Sequence, residues 1–272
     1  MLYEIIKRKN YDMKKINQND IVKFLEEKFP LKNAEKWDFP GFSLKLSNKI
    51  VKRVLVCLDV NLTVVEKAIK EKIDFIISYH PFKFANSWNT IYVYDKTKKE
   101  LVKKLTDNKI SVYSVHTNLD HDKYGTAYQI IKQLELENNI AKNYNSSIVI
   151  SYGKQLLDLI VLIKYKLKIN TLLTNSFSKL DMMIDRFTLF PGAGDVYQYL
   201  DRMKKDKTDL LITSDIKWNE QQLLNSLGVN FIIIPHKTEE IVVDLLGDLL
   251  TKNFDDEIKV IKYMEEDFIK GF

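Results

Sequence analysis

Residues 53–84 run RVLVCLDVNLTVVEKAIKEKIDFIISYHPFKF. Two apolar, β-branched runs, RVLVCLDV and DFIISY, flank TVVEKAIKEK, whose apolar residues recur at helical spacing. Strand, helix and strand in that order form the unit that pairs two strands in parallel. Parallel strands are buried on both faces, so they carry continuous apolar runs, as here. The pattern predicts a strand at about 50–59, a helix over TVVEKAIKEK capped by Thr63, and a strand over DFIISY. The second run stops abruptly at Tyr79, His80 and Pro81.

The alternation continues outward. NQNDIVKFLEEKF predicts a helix at about 19–29 behind Asn/Asp caps. KTKKELVKKLTDN is a helix, ISVYSV a strand and GTAYQIIKQLEL a helix. In the middle, SSIVISYG, TLLTNS and DMMIDRFTLF read as strands. KQLLDLIVLIKYKLKI reads as a helix, although its β-branched content also suits a strand. PGAGDVYQYLDRM is a glycine loop entering a helix, and TDLLITSD is a strand. WNEQQLLNSLG is a helix closed by Gly228, and VNFIIIP a strand. KTEEIVVDLLGDLLTKNF is a helix, and EIKVIKYM closes as a strand. The fold class is α/β, with parallel strands and helical crossovers. Each half carries strand–helix units and a polar cluster at strand ends.

Composition sets bounds. The chain has 272 residues, 45% hydrophobic and 29% charged, which is ordinary globular material. A net charge of +5 arises from 42 basic and 37 acidic residues spread along the chain, so the lysine clusters read as solvated helix faces and nucleic acid is not the expected partner. The single cysteine, Cys57, lies in an apolar run; it excludes an internal disulfide and a thiolate metal site. The start, MLYEIIKRKNYD, shows no leader pattern, and no apolar stretch approaches a membrane span. A reduced, cytoplasmic protein is the expectation.

In open α/β sheets, ligands bind beyond the carboxyl ends of the strands. Asp59 follows VLVCL, Tyr79 and His80 follow DFIIS, and His116 and Asp120 follow ISVYSV. Asp215 follows LLIT, and His236 and Glu240 follow FIIIP. The chain's four histidines, including His121, all fall in these windows. Imidazole with carboxylate suits a divalent metal such as zinc, manganese or iron. His236 and Glu240, four apart at a helix start, would share one helix face. His116 suits either ligation or orienting a ligand. Asp59 and Asp215 suit strand-end hydrogen bonding or support of a ligand, and the sequence does not separate the two. Gly192–Asp195 reads as a tight turn; Trp37 and Trp88 read as packing or subunit-contact residues.

Six motifs, in order along the chain, resemble those of one family. FIISYHPFKF resembles its strand followed by two histidines and a proline, and SVHTNLDHDKYG its HTNLD segment. GAGD, LLITSDIKW and GVNFIIIPHKTEE resemble its glycine loop, its T-G-D-I-K segment and its closing H-x-x-x-E. AEKWDFPGF resembles its A-E-x-W-D-x-x-G opening. The chain thus resembles the GTP cyclohydrolase I type 2 homologue family, also called Nif-three-like, from about Asp20 to about Leu245, in the short form without an inserted middle domain.

The resemblance implies two similar, interleaved α/β halves with mixed sheets flanked by helices. It implies a metal cleft between the halves at the strand carboxyl ends. The halves would be residues 1–125 and 126–272, with 185–272 packing against the first to form the cleft. It also implies a homohexameric ring, with the substrate unnamed and no membrane partner. One or two divalent ions per chain (Zn, Mn, Fe or Mg) would be held by Tyr79, His80, Asp120, His236 and Glu240. In one family site the ligands correspond to His80, Asp120 and Glu240; in the other, to Tyr79, His236 and Glu240. His116 and His236 would be the catalytic histidines of a metal-dependent hydrolase, in which the cation lowers the pKa of water.

Three positions depart from the family pattern. Tyr79 replaces its first histidine, Ser214 a glycine, and Asn219 a histidine. With tyrosine there, three readings stand: the second metal site is weakened or empty, Tyr79 bonds a metal-bound water, or Tyr79 or His121 ligates directly. Alternatives to hydrolysis are a non-catalytic regulatory ring and a metal-delivery protein.

Overall fold

A computed structural model describes residues 15–46 and 50–266. The start of the chain, read above for a leader, lies outside the described residues. In chain order the first elements are α1 (Gln18–Lys28), β1 (Gly41–Leu44), β2 (Arg53–Cys57), α2 (Leu62–Lys70), β3 (Phe75–Ser78), α3 (Trp88–Tyr94), α4 (Lys96–Asp107) and β4 (Ser111–Ser114). There follow α5 (Thr117–Asp120), α6 (Thr126–Gln133), β5 (Ile140–Asn143), β6 (Ile148–Gln155), α7 (Leu156–Leu167), β7 (Leu173–Thr174) and β8 (Met183–Leu189). The last are α8 (Val196–Asp206), β9 (Leu210–Thr213), α9 (Trp218–Ser226), β10 (Asn230–Ile233), α10 (Ile241–Phe254) and β11 (Lys259–Lys262).

The chain forms two compact units. The first runs to His116 and resumes over Val243–Glu265; the second holds Thr117–Val242. The halves are therefore interleaved, because the carboxyl-terminal strand returns to the first unit.

The first unit contains a five-stranded sheet, ordered β1-β4-β3-β2-β11. Its four neighbours from β4 to β11 are parallel, and β1 is an antiparallel edge. Leu55, Ile76 and Val112 pack with Val64, Val65 and Ala68 of α2 and with Leu101 and Leu105 of α4. Each such fully buried aliphatic side chain contributes about 1.5–3 kcal/mol of transfer free energy.

The second unit contains a six-stranded mixed sheet, ordered β5-β6-β8-β9-β10-β7. Strands β8, β9 and β10 are parallel, and the outer pairings are antiparallel. Side chains alternate across this sheet. Leu210 and Ile212 join one core cluster with Phe187 and Ile232, whereas Leu211 joins another with Phe231 and Tyr199. That double burial is why Leu210, Leu211 and Ile212 are apolar in succession.

Local chemistry places the boundaries. Asn17 caps α1 in a reciprocal box with Asp20. The cap of α2 is Asn61, whose side chain accepts from Val64 N at 3.0 Å, so the expectation of Thr63 is corrected. Four elements are new: β1, β5, α3 and α5. The α3 sequence WNTIYVY is strand-like by composition, yet the Ser87 cap and the tertiary setting make it helical.

Candidate metal centre

In the first unit, parallel pairing aligns Cys57 with Ser78 and Ser78 with Ser114. Two residues beyond these aligned positions stand Asp59, His80 and His116. The ladder continues past the strands, with Tyr79 N donating to Cys57 O, His80 N to Leu58 O and Val115 N to Ser78 O. Sheet register therefore delivers one carboxylate and two imidazoles to one edge. Beneath them the buried Ser78 hydroxyl donates to the His80 carbonyl and pairs with the Ser114 hydroxyl, each at 2.8 Å.

Each imidazole in this unit is oriented by an aspartate. His80 Nδ1 lies 2.9 Å from Asp59 Oδ1, and His116 Nδ1 lies 2.9 Å from Asp38 Oδ1. A carboxylate at Nδ1 fixes the tautomer and presents Nε2 as the ligating atom. Tyr79 is 1% exposed, with its ring centroid 5.0 Å from His80 and 5.2 Å from His116.

The second unit repeats the arrangement. Asp215 lies two residues past β9, and His236 three past β10. His236 Nδ1 lies 2.6 Å from Asp215 Oδ2. The Asp59–His80 and Asp215–His236 pairs have the same separation, 21 residues. Asp59 and Asp215 are thus imidazole partners.

The segment His236–Glu240 is a 3-10 turn, where an α-helical start was expected. With three residues per turn, positions i and i+3 align. His236 Nε2 meets Glu239 Oε2 at 2.8 Å, and Lys237 meets Glu240 Oε2 at 3.1 Å. The acid bonded to His236 is therefore Glu239, which the sequence reading missed. Glu239 is 4% exposed and lies against Gly192. A Cβ on Gly192 would come within 2.5 Å of Glu239 Oε1, and its φ is +66°. Gly192 O accepts from Ser214 N, Asp215 N and Thr213 Oγ, so the glycine segment is a tight turn docked on β9.

Asp120 ends α5 and accepts from the Thr126 hydroxyl. His121 N donates to Thr117 O at 3.0 Å. Ser214 is buried without a positive φ, so serine fits the position that resembles a family glycine. Asn219 is exposed on α9. In each unit the donor types suit a divalent cation of borderline softness: imidazole oriented through Nδ1 by a carboxylate. Within the second unit, His236 and Glu239 offer donor atoms close enough to share one ion. Cys57 is buried in the core.

The His236 pKa is pushed up to about 9 by its hydrogen bond to Glu239 and, next, by that carboxylate's charge and by Asp215, against the lowering effect of burial. A raised histidine pKa means the imidazolium stabilises the fold. That contribution is complete below the reference of about 6.5 and is lost as pH rises through about 9. In the metal-free protein, an NMR titration of His236 is expected to show a midpoint near 9, moved toward 6.5 by Glu239→Gln. A wild-type midpoint near 6.5 would contradict the pairing.

Among the described residues, no helix is long and apolar enough to cross a membrane. The DUF34/NIF3 (NGG1p interacting factor 3) profile matches residues 16–267. A Mycoplasmopsis pulmonis protein named GTP cyclohydrolase 1 type 2 homolog is 32% identical over 250 residues, covering 91% of this chain and 98% of that one. NGG1-interacting factor 3 of Saccharomyces cerevisiae is 25% identical over 249 residues, covering 81% and 85%. The crystal structure of the Staphylococcus aureus hypothetical protein SA1388 matches at a TM-score of 0.80 and 24% identity, covering 93% of this chain and 98% of that one. That structural likeness concerns the fold. Since the profile spans nearly every described residue and the sequence kinship extends over most of the chain, this protein belongs to the DUF34/NIF3 family.

Proposed function

We propose that this protein is a metal-dependent hydrolase-like member of its family. Its divalent cation is held by His80, Asp120 and Glu240, with His236 at a second position, in a homohexameric ring. The ligand set and the ring rest on the family resemblance. The observation that carries the metal reading is the repeated aspartate–imidazole pair, which directs Nε2 of His80 outward from Asp59 and is duplicated at Asp215 and His236. A bound divalent cation supplies Lewis-acid activation of water and of a substrate oxygen.

The chain's own residues supply the rest. Asp38 holds His116 through Nδ1, so His116 keeps one ring orientation beside His80. His236 Nε2 lies 2.8 Å from Glu239 Oε2, and the carboxylate holds the imidazole in its protonated form at neutral pH until a metal displaces the proton. The name of the M. pulmonis relative suggests GTP as substrate, but no P-loop sequence is present. We therefore take the substrate as a hydrolysable small molecule of undetermined class.

Tyr79, standing where the family pattern has histidine, favours a second reading, a non-catalytic metal-binding ring. A screen of metal-loaded protein against nucleotides, pterins, cyclic amides and phosphoesters separates the two. Metal-dependent turnover that His80→Ala removes supports the hydrolase. No turnover on any class while metal stays bound supports the ring.

A further inference from the structure

We propose that Trp37 and Phe84 form a binding platform for a planar aromatic or heteroaromatic ring, seated on His116. The two side chains are 56% and 50% exposed. Their rings lie nearly parallel, at 22°, with centroids 6.2 Å apart. Each stands edge-on to His116, at 6.0 Å for Trp37 and 5.9 Å for Phe84. The three centroids thus make a nearly equilateral triangle, two of whose rings are half exposed to solvent. The sequence reading of Trp37 is packing or subunit contact, and the stacking role goes beyond it. Trp88 does fit that reading: it is half-buried, against Phe82 and Tyr92.

The platform is held in place. Asp38 Oδ1 accepts from Phe39 N at 2.7 Å while bonding His116, which pins the segment bearing Trp37. Phe82 N donates to Ser114 Oγ and Lys83 N to Ser43 Oγ, which pins the segment bearing Phe84 to the sheet. Phe39 closes one side, edge-on to Phe84 at 6.2 Å. Rings fixed before binding lose little entropy when a ligand stacks on them.

The size of the surface selects the occupant. Half of two aromatic side chains that carry about 150–250 Å² each leaves roughly 200 Å². A stable protein partner covers about 800 Å² per side. The pair alone matches a single ring. The pair contacts His116, whose ring centroid is 5.5 Å from that of His80, so as a statement about substrate the inference rests on the functional reading above.

The test uses metal-loaded, full-length protein and equilibrium dialysis with adenosine and guanosine as uncharged planar probes, and ribose as the non-planar control. Both nucleosides are expected to bind and ribose is not. Trp37→Ala and Phe84→Ala are each expected to weaken nucleoside binding by about five- to a hundredfold, the range for loss of one stacking side chain. Trp37→Phe is expected to restore it to within a few-fold, which a purely structural role would not require. Nucleoside binding in His80→Ala that survives loss of metal would support the platform while separating it from the hydrolase reading. No nucleoside binding by the wild type, or unchanged affinity in both alanine variants, overturns the proposal. So does a change in oligomeric mass in the variants with unaltered nucleoside affinity, which would make the face a contact between copies.

Discussion

Protein purified without chelator is expected to carry about one tightly held divalent cation per chain, Tyr79→His about two, and His80→Ala none above background. The first and last values follow from His80. Its Nδ1 is engaged by Asp59, so the imidazole is presented through Nε2. Alanine removes a ligand and leaves Asp59 without its imidazole, so affinity falls by well over a hundredfold. The middle value follows from Tyr79. A phenol has a reference pKa near 10, about three units above neutral, and removing its proton at pH 7 costs about 4 kcal/mol. Imidazole is largely neutral at that pH and incurs almost none of this cost. The exchange shortens a fully buried side chain, so it is expected to lower thermal stability modestly, with the fold retained. Elemental analysis with a melting curve reads all three proteins. Two ions in the wild type would show that Tyr79 or His121 completes a second site. Metal in His80→Ala equal to wild type would remove His80 from the ligand set.

The parts of this centre legible in the sequence were those that sheet geometry dictates. Residues just past parallel strands converge on one edge of their own sheet, so Asp59, His80 and His116 in the first unit and Asp215 and His236 in the second could be found from apolar runs alone. Partnership was harder. Asp59 and His80 are 21 residues apart, and only the pairing of β2 with β3 shows that they meet. The choice between Glu239 and Glu240 depends on whether HKTEE winds with three or 3.6 residues per turn, and both windings suit its composition. Asp38 could have been flagged by its place in AEKWD, but its partner lies 78 residues away. The helix α3 was missed because Ile, Tyr and Val favour strands in isolation. The cap of α2 was misplaced by two residues because Asn61 and Thr63 are both competent and the backbone decides.

Asp59→Asn is expected to weaken binding of the wild-type divalent cation, and Asp215→Asn binding of the second cation in the Tyr79→His background, each by about 10- to 100-fold with little loss of stability. Asparagine keeps the shape and can still accept from Nδ1–H, so the ring need not move. What disappears is the negative charge that makes the imidazole a better donor and fixes its tautomer. Asp59 is about half exposed and Asp215 more so, which is why the fold tolerates the change. Since the two pairs repeat the same strand-end arrangement at the same separation, the two variants should lose affinity by similar factors. Competition against a chromophoric chelator measures the loss. Long-range proton–nitrogen NMR of the histidines tests the cause, because Nδ1–H should dominate for His80 in wild type and give way to a mixture in Asp59→Asn. At His236 the result has a second component, since Glu239 still bonds Nε2 when Asp215 is neutralised. The imidazolium pKa should fall from about 9 in Asp215→Asn but stay above the reference near 6.5. An unchanged affinity in Asp59→Asn, with the tautomer preserved, would mean that His80 is held by packing against Tyr79 and His116 and that Asp59 is dispensable. Equal loss in both variants would instead establish that one aspartate–imidazole device serves each half of the fold.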